Sequence, residues 1–123
     1  MTNAGTETER WTSTLVSYSV PASFTNSISF ATNTVVADTT LTSVHSSVRV
    51  DATTANITIT LPAAAAAGVS GRLYRIKKID ATANTVIVDA NAAELIDGSL
   101  TKTISAQYGT FTIQSNGTSW DIF

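Results

Sequence analysis

The residues that could do chemistry are few. His45 is the sole histidine, and it is followed by Ser46, Ser47 and, further on, Asp51, the side-chain types of a Ser-His-Asp triad. A triad is defined by geometry rather than adjacency, no Gly-x-Ser-x-Gly elbow surrounds either serine, and on a strand Ser46 points away from His45. Asp89, Glu94 and Asp97 offer oxygen atoms to a calcium ion. They lack the ordered Asp-x-Asp-x-Asp-Gly spacing of a calcium loop, so solvated turn carboxylates are the expected state. Arg72, Arg75, Lys77 and Lys78 form a basic cluster. Its expected role is to protect an edge strand from unwanted pairing, with an inter-subunit contact to carboxylates as the alternative. Tyr74 and Trp120 have faces that stack on sugars, but their large apolar area suits packing in a core or a trimer interface better. Asn56-Ile57-Thr58 and Asn116-Gly117-Thr118 match glycosylation acceptors, and without a secretory signal they are read as coincidences. The expectation is therefore no catalytic residue, no metal ligand and no cofactor site.

Composition narrows the class further. A chain of 123 residues with 43% hydrophobic content can bury a core without staples and fits one domain. Only 13% of residues are charged, with Thr, Ser, Ala and Asn filling the gap, and the formal net charge is −2. That balance disfavours nucleic acid and anionic membranes as partners. With no cysteine, neither a disulfide framework nor a thiolate metal site is available. The first ten residues are polar, with no basic start before an apolar run, and no stretch is apolar for long enough to span a bilayer as a helix. Assembly in a cytoplasm is the expectation.

The elements that would position these residues read as strands. Asn56-Ile57-Thr58-Ile59-Thr60-Leu61-Pro62 alternates apolar and hydroxyl side chains and stops at proline, the pattern of a half-buried strand. Leu73–Ile79 and Thr85–Asp89 follow, separated by the turn-forming Asp80-Ala81-Thr82-Ala83-Asn84, and are expected to pair as antiparallel neighbours. Asp97-Gly98 suits positive φ, and Lys102–Ser105 reads as a short peripheral strand. Gly109–Ser115 and Thr118–Phe123 flank Asn116-Gly117, which predicts a hairpin with a type I′ turn and with Phe111, Ile113, Trp120 and Ile122 on the buried side. Between Pro62 and Gly68 lie five alanines, expected to form a short helix or a tight loop between two strands. No internal repeat is evident.

From Trp11 to Val48 the one charged residue is Asp38, yet the segment carries Trp11, Tyr18, Phe24, Phe30 and several Val, Ile and Leu. It is built to be covered rather than to stay disordered. Thr14–Val20, Ser27–Phe30 and Leu41–Val44 read as strands. The fold class expected is all-β: a small antiparallel β-sandwich, jelly-roll-like, over 48–123, with an extended N-terminal arm over 1–47 that pairs with the domain or with neighbouring subunits.

Leu61-Pro62, Gly71, Tyr74-Arg75-Ile76-Lys77-Lys78, Asn84-Thr85-Val86, Ile96-Asp97-Gly98, Gln107-Tyr108 and Ser115-Asn116-Gly117-Thr118-Ser119-Trp120 occur in an order that resembles a β-sandwich module of tailed-bacteriophage virion proteins. The motifs are common turn and strand patterns, and their order carries the resemblance. It implies a structural, non-enzymatic role and homotrimers. A chain that starts at Met1 and is this short is expected to be a capsid decoration (cement) protein on the virion surface, partnered by the major capsid protein. The alternatives are a tail-fibre, head-fibre or baseplate module, or a glycan-binding receptor module.

Overall fold

The computed structural model describes residues 23–123. Among these residues nine strands are divided between two sheets, the first six alternating from one sheet to the other. The chain runs from β1 (Thr32–Val35) across to β2 (Thr39–Thr40), back to β3 (Ser47–Val50), across again to β4 (Ile57–Thr60), then to β5 (Leu73–Lys78) and β6 (Val86–Asp89). β1, β3 and β5 pair in parallel in one sheet, and β2, β4 and β6 pair in parallel in the other. The chain thus winds as a flattened coil, each wind giving one strand to each sheet. Three antiparallel strands close it: β7 (Thr101–Ile104) against β6, β8 (Thr110–Ser115) against β5, and β9 (Trp120–Ile122) against β8. The sheet orders are β1-β3-β5-β8-β9 and β2-β4-β6-β7.

The all-β, two-sheet expectation holds, while the sense of the strands is mixed rather than antiparallel throughout. β5 and β6 are not hairpin partners but lie in opposite sheets. Ser27–Phe30 and Leu41–Val44 are not strands. Leu41 nonetheless enters the core, and β1 and β2 sit at the sheet edges, so a division at residue 47 does not coincide with a boundary in the fold. The strand read at Thr14–Val20 lies outside the described residues. Pro62–Gly68 is a loop without a helix.

Alternation decides what is buried. Tyr74, Ile76 and Lys78 of β5 point inward with Val48 and Val50 of β3. From the other sheet come Ile57, Ile59, Val86, Val88 and Ile104, and all belong to one apolar cluster with Leu41, Ile96 and Trp120. Each fully buried Ile or Leu contributes about 1.5–3 kcal/mol relative to exposure, which selects the register, since a one-residue slip would turn the whole set outward.

The coil repeats a corner that unequal spacing hides. Asp51-Ala52-Thr53 follows β3 and Asp80-Ala81-Thr82 follows β5. At each, the Asp carboxylate accepts bonds from the N–H and the hydroxyl of the Thr two residues on. Neighbouring winds are also tied by side chains at the entry to the second sheet. Asp38 Oδ1 accepts the Thr58 N–H at 2.8 Å, and Asn56 Oδ1 accepts the Thr85 N–H at 2.8 Å. These carboxylate and amide oxygens satisfy backbone donors where the strand ladder begins.

The type I′ turn occurs at Asp97-Gly98, where φ is 43° and 79° and Ile96 and Ser99 exchange backbone bonds. Asn116-Gly117 does not form one. Ser115 pairs with Trp120, so the last hairpin has a longer loop in which Asn116 Oδ1 accepts the N–H groups of Thr118 and Ser119. Gly117 alone takes positive φ there, at 96°. Gly117→Val should therefore lower stability by about 1–3 kcal/mol through left-handed strain, read as a lower urea midpoint with unchanged slope.

Candidate functional site

β5 is an interior strand, flanked by β3 and β8, so the basic cluster does not guard an edge. Its members separate by alternation. Lys78 is fully buried and forms an ion pair with Asp80. The Lys78 ammonium also donates to the carbonyls of Asp80 at 2.9 Å and Thr82 at 3.2 Å. Asp80 accepts the Ala52 N–H at 2.8 Å. Burial opposes ionisation of Asp80, but the Lys78 ammonium, the Thr82 hydroxyl and the backbone N–H groups of Ala52 and Thr82 outweigh it and hold the carboxyl well below the usual carboxylate range. This pair joins the second and third winds and belongs to the framework.

Arg75 and Lys77 face outward. Parallel register places Arg49 of β3 beside Lys77 and Ser47 beside Arg75, while antiparallel register sets Thr110 and Thr112 of β8 on their other side. Lys77 also lies over the Tyr108 ring at 5.2 Å from its centroid, a cation–π contact. Tyr108 has φ 64° and is exposed. Its backbone strain is held by a bond from its N–H to the Lys78 carbonyl at 2.8 Å.

Beside these cations lies a groove of about 610 Å³, lined by Phe30, Val44, His45, Arg72, Leu73 and Arg75 among others. Phe30 is 60% exposed and Val44 69%. Arg72 Nε donates to the Gly68 carbonyl at 2.9 Å, which fixes its guanidinium at the rim. His45 Nδ1 accepts the Thr42 N–H at 3.0 Å, and the Tyr74 hydroxyl donates to the Thr42 carbonyl at 2.9 Å. Burial raises the Tyr74 phenol above its usual range, so it stays a neutral donor. This pins the 42–45 turn to the core.

His45 is thus a turn residue, and no serine or aspartate among the described residues bonds its ring, while Asp51 is engaged with Thr53. The acidic trio is not gathered into one ligand set either. Glu94 accepts the Ala64 N–H at 3.0–3.1 Å and the Trp120 indole N–H at 3.2 Å, and Asp97 accepts the Ile122 N–H at 3.3 Å. Glu94 and Asp97 are bound to the fold rather than simply solvated, and no group of three metal-ligating side chains occurs among the described residues. Tyr74 and Trp120 are both fully buried, their ring centroids 5.9 Å apart, so neither can stack on a sugar. Ser115 Oγ donates to the Ala64 carbonyl at 2.7 Å, which with Glu94 fastens both backbone polar groups of Ala64.

Sequence reading missed Arg49, because its proximity to Lys77 depends on the parallel register. It also missed the Lys78–Asp80 pair, although a lysine in phase with Tyr74 and Ile76 and two residues before an aspartate was the available signal. The chain matches no protein-family description, no curated protein and no solved structure.

Proposed function

We propose that this chain is a virion structural protein of a tailed bacteriophage, a capsid decoration protein that binds the major capsid protein lattice as a homotrimer. Beside the motif order already described, the observation that carries the reading is the run of large exposed apolar side chains between residues 24 and 44. Phe24, Ile28, Phe30, Val36 and Val44 are 51–69% exposed, and Phe30 and Val44 line the groove together with Arg75. An exposed apolar patch rimmed by polar groups is the signature of a protein contact. The edge strands β1 and β2 add backbone groups that can extend a sheet across a subunit boundary, and several weak contacts acting together give avidity.

The coil topology favours a second reading, a tail-fibre, head-fibre or baseplate module, since a wound sheet can continue onto another wind at β1 and β2. Both readings are non-enzymatic.

Light scattering should give a trimer mass at micromolar concentration, and the protein should cosediment with capsids stripped of their decoration. A monomer that leaves such capsids unbound would overturn the decoration reading.

A further inference from the structure

We propose that the outer face of the five-stranded sheet, from Arg49 and Lys77 through Arg75 to the Phe30–Val44–Leu73 groove, docks an acidic segment of a partner polypeptide. Carboxylates of that segment meet the three cations, and an apolar side chain fills the groove. Three observations support this. First, Arg49 and Lys77 are register partners on adjacent interior strands, and Arg75 follows on the same face. Like charges set opposite one another destabilise a sheet, so the arrangement costs the isolated fold and is relieved by an anion.

Second, the described carboxylates other than Asp89 are engaged elsewhere. Asp38, Asp51, Asp80, Glu94, Asp97 and Asp121 each accept a hydrogen bond from a neighbouring group of this chain, and the one ion pair among the described residues is Lys78–Asp80. Arg49, Arg75 and Lys77 thus have no carboxylate partner among the described residues, and a carboxylate-rich segment of a partner complements their charge. Third, the groove that Arg75 shares with Arg72 is walled by Phe30, Val44 and Leu73, an aliphatic and aromatic wall that suits an apolar side chain. Nucleic acid fits less well. Among the described residues Tyr108 lies under Lys77 and Phe30 lines the groove, two rings at separate places, whereas single strands bind on a series of stacking platforms.

This inference deepens the assembly reading by giving the partner's surface a chemistry. The test uses the full chain and fluorescence anisotropy, with a glutamate-rich Glu/Tyr copolymer, poly-glutamate and a deoxythymidine oligonucleotide as probes. The copolymer should bind most tightly, and more weakly as salt rises. Replacing Arg49, Arg75 and Lys77 together by Gln should weaken that binding at least about tenfold with an unchanged or higher melting temperature, and Val44→Ser should weaken the copolymer but not poly-glutamate. Tighter binding of the oligonucleotide, no binding of the copolymer, or full binding by the triple variant would each overturn the proposal. Stripped capsids separate the two claims. Undiminished capsid binding by the triple variant would sink this inference alone, whereas copolymer binding by a protein that ignores capsids would support the acidic-partner face and remove the decoration reading.

Discussion

Lys78→Met is expected to lower stability by about 3–5 kcal/mol, the cost of leaving one member of a buried ion pair without its partner. Lys78 is 0% exposed and its ammonium meets Asp80 and two backbone carbonyls. Methionine fills much of the volume but supplies no donor, so the Asp80 carboxylate and both carbonyls lose the bonds that the ammonium makes. A melting temperature at least about 10 °C lower at neutral pH is the expected readout. Asp80→Asn on that background should recover more than about 1 kcal/mol, since the amide oxygen still accepts from Ala52 and no charge is stranded. The pH dependence has a definite sign. The Asp80 carboxyl is held below its unfolded value of about 3.9, so its contribution is complete above that value and is lost as pH falls below about 4. The gap between wild type and Lys78→Met should therefore narrow on acidification. An equal gap at pH 7 and pH 3 would show that the pair does not stabilise the corner.

Trp120→Ala should cost about 3–5 kcal/mol through the cavity left in the core. Its ring is 0% exposed, packs on Tyr74 and donates from its indole nitrogen to Glu94. The expected loss divides in two. Trp120→Phe keeps an aromatic ring but removes the bond to Glu94, whose contribution to a charged acceptor is about 1.5–3 kcal/mol. Glu94→Gln should lose less, because an amide oxygen can still accept from Trp120 or from Ala64. Urea midpoints for the three variants give the order Ala, then Phe, then Gln, from most to least damaging. If Trp120→Ala melted like the parent, the closing hairpin would not belong to the core.

The strands that alternate cleanly were legible before any coordinates. Ile57–Thr60, Leu73–Lys78, Val86–Asp89 and the two arms of the last hairpin all appear where apolar and polar residues take turns, because period-two burial leaves its mark within a few residues. Turn chemistry was half legible. Asp97-Gly98 took the positive φ its residues suit, but Asn116 used its side chain to accept backbone N–H groups in a longer loop, a competition that dipeptide preference does not resolve. Apart from the antiparallel hairpin of β8 and β9, strand sense was not legible. An alternating strand reads the same whether its neighbour runs with it or against it, and the partners here lie far along the chain.

By itself the sequence determined the all-β class, the inward residues of the strong strands, and the lack of cysteine chemistry. Those are local properties, written in alternation and composition. Tertiary structure decided that the chain coils, that Lys78 pairs with Asp80 inside while Arg75 and Lys77 stay outside, and that Arg49 joins Lys77 on one face. The winds differ in length, so Thr32 pairs with Ser47 while Ser47 pairs with the more distant Arg75, and no fixed period exposes the repeat. Only the burial of a common core sets those registers, and with them the charge pattern on the outer face.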